Sequence, residues 1–173
     1  MTEVYIGLGS NIEPEKYTPL ALERLRQCLD VVSVSSFYCS SAVGTAVGQA
    51  DFINGVVKVK TSLSAEQLKF EVLRPIEYEF GRRLYMPKHA PRTMDLDLLI
   101  FGDEVIEELN IPEADILRRP FVYIPLLEIA PDIEVKGFDG PVKNLVNFQH
   151  NMKVWSFPAC DDLGISAPAR SAG

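Results

Sequence analysis

Apolar positions recur along the chain in two rhythms. Residues 4–8 form a short apolar run that ends in Gly9-Ser10-Asn11, which predicts a strand and then a turn. Thr18 followed by Pro19 has the form of an N-cap and first helical residue, and Leu22, Leu25 and Leu29 mark one face of a helix over 19–29. Residues 31–38 are rich in β-branched and aromatic side chains and predict a second strand. Residues 39–51 hold two glycines and no periodicity, so they read as a long loop. Alternation over 52–60 predicts a third strand. Ser64-Ala65-Glu66-Gln67 resembles a capping box, Leu68, Val72, Ile76 and Phe80 follow at a spacing of four, and Gly81 stops the helix. Pro75 inside it predicts a kink, because it removes a backbone hydrogen bond.

A further apolar run, Asp95-Leu96-Asp97-Leu98-Leu99-Ile100, has strand length. The order β-α-β-β-α-β is the ferredoxin-like arrangement, an α+β fold with an antiparallel sheet and helices packed on one face. A C-terminal extension follows. It comprises a hairpin strand within 104–111, a helix over 121–129 despite Pro125 and closed by Pro131, and a last strand and helical turn at 133–135 and 142–146. Residues 1–155 are expected to form one domain. The remainder, 156–173, is rich in Pro, Ala, Ser and Gly and is expected to be irregular.

Composition narrows the function without naming it. The 173 residues are 47% apolar and 24% charged, and the net charge of −7 argues against a general nucleic-acid or membrane-surface binder. A local reversal stands out: residues 81–94 carry Arg82, Arg83, Lys88, Arg92 and His89 and no acid. Three cysteines, Cys28, Cys39 and Cys160, without a Cys-x-x-Cys pair, fit a reducing cytoplasm. No stretch has the layout of a signal peptide or the length of a membrane span.

The basic segment runs into Asp95 and Asp97. In an extended strand these two share a face, roughly 6–7 Å apart at about 3.3 Å per residue, with Leu96, Leu98 and Ile100 on the other. Two carboxylates so close favour a cation, and hard oxygens suit Mg²⁺, which takes substrate phosphates as further ligands. Taken alone, Asp-x-Asp also fits a strand edge that puts two acids in water.

Four stretches resemble the hydroxymethyl-dihydropterin pyrophosphokinase family: Tyr5-Ile6-Gly7-Leu8-Gly9-Ser10-Asn11; Ser36-Phe37-Tyr38 through Gln49-Ala50-Asp51-Phe52-Ile53-Asn54; Ala90-Pro91-Arg92-Thr93-Met94-Asp95-Leu96-Asp97; and Phe121-Val122-Tyr123-Ile124-Pro125-Leu126-Leu127-Glu128-Ile129-Ala130-Pro131. The resemblance implies a transferase that moves pyrophosphate from ATP to 6-hydroxymethyl-7,8-dihydropterin and releases AMP, in folate biosynthesis. It also implies that Asp95 and Asp97 hold two Mg²⁺ ions. Arg82 and Arg92 are implied as catalytic cations, and Glu77, Arg82, His89, Arg92 and Arg119 as ATP contacts. Ser40, Val43, Phe52, Asn54 and Phe121 are implied as the pterin site, with the two phenylalanines sandwiching the ring. The partners implied are small molecules alone, with no nucleic acid and no membrane, and a monomer is expected. The chain departs from the family pattern at His89-Ala90, where an aromatic residue is usual, at Ala42, where proline is usual, and at Glu113-Ala114, where an ATP-contacting histidine is common. These departures keep two other readings in view, a pterin-binding relative with weakened or lost ATP use and a non-catalytic ferredoxin-like module.

Overall fold

The computed structural model describes residues 1–40, 50–83, 85, 87 and 90–147, and the backbone of 153–155. Strand β1 (Thr2–Ser10) lies at the middle of the sheet, antiparallel to β4 (Phe52–Thr61) on one side and to β5 (Asp95–Phe101) on the other. The outer side of β4 pairs with β2 (Asp30–Val34) and then with β3 (Phe37–Ser40). Those two take the place expected for one strand over 31–38. Ser35 is the reason for the break: its hydroxyl accepts the Val56 N–H at 2.8 Å, where a ladder carbonyl would otherwise bond. The order β5-β1-β4-β3, with helices on the sheet, is the ferredoxin-like α+β arrangement. Strand β6 (Lys153–Trp155) extends the β3 edge and was not expected from the pattern.

Alternation along β1 sends Val4, Ile6 and Leu8 to one face and Tyr5 to the other. Helix α1 (Pro14–Cys28) covers the first face with Leu22 and Leu25, both fully buried. It begins five residues before the expected start. Glu13 is the N-cap in the left-handed region (φ 44°) and Pro14 sits at the first turn, so Pro19 is interior. Pro19 forfeits one backbone bond, and the stripe of Thr18, Ala21, Leu22 and Leu25 against the sheet holds the helix regardless.

The second helical rod has three parts: α2 (Ala65–Gln67), a π-helical stretch (Leu68–Leu73) and α3 (Arg74–Glu79). The capping box at Ser64 is present, with both Ser64 and Gln67 bonded reciprocally. The predicted kink at Pro75 takes the form of a widened turn. Arg74 N–H bonds to Lys69 O, five residues back, so the register has already shifted where Pro75 lacks its donor. One consequence is that Leu73 is buried at the position where strict spacing predicts Val72, which is only partly buried. The rod ends at Gly81 (φ 98°).

Helices cover both faces, not one. Helix α4 (Pro120–Ile129) and the short α5 (Val142–Leu145) pack with Tyr5, Val56, Leu99 and Ile100 on the face opposite α1. Ile100 therefore points away from Leu96 and Leu98, contrary to the alternation. A bulge in β5 is the cause, since Ile6 pairs with Leu98 and the preceding Tyr5 with Ile100. Between β5 and α4 the expected hairpin strand is a single bridge, Ile106 to Ile111, around a 3-10 turn. The strand expected at 133–135 is likewise one bridge, Glu134 to Pro141.

Candidate active site

A cleft of about 270 Å³ opens on the α4 side of the sheet, near the lower end of the roughly 300–1,000 Å³ of small-molecule pockets. Gly7, Gly9, Ser40, Phe52, Asn54, Val56, Asp95, Asp97 and Leu99 line it from the sheet, and Asp115, Arg119, Phe121 and Val122 from the other wall. Seven of the residues singled out by sequence thus meet in one cavity. Asn54 Nδ2 donates to Ser40 Oγ at 2.8 Å, so the amide is held in a fixed plane. Phe52, directly opposite Ser40 in the β3–β4 ladder, and Phe121, at the start of α4, bound the same space. Arg119 lies beside Asp115 at 3.6 Å. Val43, Lys88 and His89 lie outside the described residues.

The carboxylates stand at the β5 end. Asp95 Oδ1 accepts from Arg82 Nη1 at 2.8 Å and Arg92 Nη1 at 2.6 Å. Arg82 also donates to Glu77 Oε1 at 2.5 Å. Glu77 is fully buried, accepts the Leu96 N–H at 2.9 Å and takes Arg74 on its other oxygen at 2.9 Å. Its position is behind the cleft rather than in it, and burial pushes its carboxyl up. Asp97 reaches water through the cleft, yet protein encloses the carboxylate on its other sides. That burial, with the charges of Asp95, Glu77 and Glu113, raises it to about 7, against the opposing pull of Arg92.

This donor set fits Mg²⁺. Two carboxylates on one strand face line an open cleft, and one of them is poorly tolerated as an anion without a cation nearby. Among the described residues no cluster of three or more His, Cys, Asp or Glu is arranged to hold a metal by itself. Magnesium characteristically takes one or two carboxylates and completes its shell with water and phosphate oxygens.

Two supporting residues escaped the sequence reading. Asn11 accepts the Arg92 N–H at 2.7 Å and donates its own N–H to Arg92 O at 3.0 Å, locking the segment that leads into β5. It lies inside the first family-like stretch, and that was the signal available. Asp115, the partner of Arg119, had no signal. Glu113, the departure from the family pattern, is turned into its own loop, where it accepts from Asn110 Nδ2 at 2.5 Å and from the Asp115 N–H at 3.3 Å.

An antiparallel α+β sheet that carries paired carboxylates, flanking guanidiniums and an aromatic–amide cleft defines a small-molecule transferase of the phosphoryl-transfer kind. Comparison with known proteins makes the class specific. The profile of the family described as 7,8-dihydro-6-hydroxymethylpterin-pyrophosphokinase (HPPK) matches residues 5–131. The chain belongs to this family. It is 37% identical over 146 residues to the 2-amino-4-hydroxy-6-hydroxymethyldihydropteridine pyrophosphokinase of Aquifex aeolicus, covering 83% of this chain and 89% of that one. The Haemophilus influenzae protein of the same name is 41% identical over 138 residues, covering 77% and 84%. A folic acid synthesis protein of Pneumocystis carinii is 41% identical over 134 residues, which is 75% of this chain and 18% of that much longer one. The fold is also that of a Plasmodium falciparum HPPK-DHPS crystal structure, with a TM-score of 0.58 at 13% identity over 84% of this chain and 43% of that one.

Proposed function

We propose that the cleft carries out the family's reaction, transfer of pyrophosphate from ATP to the hydroxymethyl group of 6-hydroxymethyl-7,8-dihydropterin with release of AMP, a step of folate biosynthesis. The observation that carries this reading is the meeting of Asp95 and Asp97 with Ser40, Phe52, Asn54 and Phe121 in one cavity. A pterin is a flat ring with donors and acceptors at its edge. Phe52 and Phe121 supply faces for it, and Asn54, held by Ser40, supplies in-plane hydrogen bonds. Asp95 and Asp97 would hold Mg²⁺, two ions by family resemblance, which when bound neutralises and orients the ATP phosphates.

Arg82 and Arg92 can exchange Asp95 Oδ1 for phosphate oxygens, with Arg119 reaching the cleft from the opposite wall. His89 is read as a further ATP contact and Val43 as a pterin contact, by resemblance alone. Glu77 supports Arg82 and β5 rather than touching nucleotide. We further read residues 1–155 as one domain and the protein as a cytoplasmic monomer acting on small molecules. Among the described residues no helix is long and apolar enough to cross a membrane.

The test is direct. Protein, ATP, Mg²⁺ and the hydroxymethyl-dihydropterin should yield AMP, and chelating the metal should stop it. AMP formation no higher than that of the Asp95→Ala, Asp97→Ala double variant would overturn the reading.

A further inference from the structure

A polar contact ties helix α4 to the sheet. Glu128, two turns after Phe121 and on the same stripe of α4, uses both carboxylate oxygens on β3 and the residue before it. Oε1 accepts the Ser36 N–H and the Ser36 hydroxyl, both at 2.9 Å, and Oε2 accepts the Tyr38 hydroxyl at 2.7 Å. Ser36 and Tyr38 are buried, and Tyr38 pairs directly with Asn54 across the β3–β4 ladder. The contact therefore joins the helix that carries Phe121 to the strand that carries Ser40, which in turn fixes Asn54.

We infer that Glu128 is a positioning residue for the pterin pocket: its three hydrogen bonds set how close Phe121 stands to Phe52 and Asn54, and so the width of the slot for the ring. The inference rests on the assignment of this cleft to the pterin. Apolar contacts of α4 with Val56 and Tyr5 hold the helix on the sheet but are non-directional and do not by themselves specify its exact position. Three directional bonds from one carboxylate remove that freedom, because charge-assisted bonds are short and geometrically demanding. Neighbours of the pair reinforce it, since burial and Glu128 itself push the Tyr38 hydroxyl upward and keep it a donor. Asp95 and Asp97 stand on β5 and Arg82 and Arg92 in the segment that leads into it, while of the expected ATP contacts Arg119 alone sits at α4, as its N-cap, so loss of Glu128 should act on the pterin far more than on ATP.

The experiment is steady-state AMP formation by the full chain, varying pterin and ATP separately, with melting temperature followed in parallel. Glu128→Ala should raise the KM for pterin about 10- to 100-fold, the scale of a misplaced binding wall, with the KM for ATP within about 2-fold. Glu128→Gln keeps an acceptor for Ser36 and should stay within about 3-fold of the parent. Tyr38→Phe removes one bond only, keeps the buried ring and should raise the pterin KM about 3- to 10-fold. If Glu128→Ala does not fold, this last variant decides. Equal shifts in both KM values, or a lower melting temperature with the pterin KM unchanged, would overturn the inference. Asn54→Ala separates the two levels. If it too leaves the pterin KM unchanged, the cleft assignment fails and the inference with it. If it raises that KM while the Glu128 and Tyr38 variants do not, the inference alone falls.

Discussion

Removing the carboxylate of Glu77 tests whether this residue supports the site or belongs to its nucleotide contacts. The side chain is fully buried and serves three donors, Arg74 at 2.9 Å, Arg82 at 2.5 Å and the Leu96 N–H at 2.9 Å. Glu77→Ala leaves a buried backbone N–H orphaned next to Asp95 and strips a counter-ion from two guanidiniums. Breaking a buried pair by deleting one partner costs about 3–5 kcal/mol. Both arginines retain some exposure, 32% for Arg74 and 20% for Arg82, so water recovers part of their loss and the low end applies. About 3 kcal/mol corresponds to a fall of roughly 6–12 °C in Tm for a chain of this size. Glu77→Gln keeps an oxygen for Leu96 and Arg82 and sets an N–H against Arg74, which can turn to solvent. Its cost should be about 1 kcal/mol. Urea unfolding with magnesium and nucleotide absent measures both values, and AMP formation reports on Arg82. A variant of unchanged stability whose KM for ATP rises 10-fold or more would refute the supporting role and return Glu77 to the ATP contacts.

The other expectations concern Asp97, Gly55 and Asn11. Asp97→Asn should abolish AMP formation and yet stabilise the metal-free protein. Because the folded carboxyl titrates near 7, the native state binds more protons than the unfolded chain between about pH 4 and 7, so stability falls as pH rises through that window. Discounted for its access to water, the gain at pH 8 should be on the order of 1 kcal/mol and vanish near pH 4, as read by urea unfolding at several pH values. Gly55→Ala would set a Cβ 2.6 Å from the ring of Phe37, which is itself buried, and should cost about 1–3 kcal/mol. Adding Phe37→Leu should return part of that loss, and strict additivity in the double-mutant cycle would contradict the steric account. Asn11→Ala frees the backbone at Arg92 and should lower kcat/KM about 10- to 100-fold, a loss that an unchanged steady-state rate would exclude.

The residues that line the cleft were largely legible in the sequence, and the contacts that hold them were not. Asp95, Asp97, Asn54 and Phe121 stand in short segments whose residue order is itself a signature. Their strand and helix settings follow from local periodicity. Glu77 and Glu128 look like ordinary helix-surface acids by spacing. What makes them internal is a partner far along the chain: Leu96 for the first, Ser36 and Tyr38 for the second. No local pattern carries that information. The misplaced start of α1 has a different origin, since Pro19, read as the first helical residue, lies inside a helix whose N-cap is the left-handed Glu13.

The two register errors in the sheet share a cause, and it bears on function. Strict alternation from Val34 would turn Tyr38 and Ser40 towards α1 and leave Phe37 and Cys39 in the cleft. The extra residue at Ser35-Ser36 reverses this. Val34 pairs with Val57 but Tyr38 with Asn54, one residue out of step, and Phe37 goes to the core instead. On the opposite edge, the bulge in β5 lets Asp95 and Asp97 keep the cleft face while Ile100 turns under α4. Alternation cannot reveal either bulge, because both sheet faces are covered by helices and an apolar residue is acceptable on each side. Both irregularities border the cleft, one placing Ser40 beside Asn54 on the cleft face and the other separating the carboxylate end from the packing of α4. The departures from regular strand geometry are thus what allow one sheet to present a hydrogen-bonding surface and an acidic surface to the same cavity.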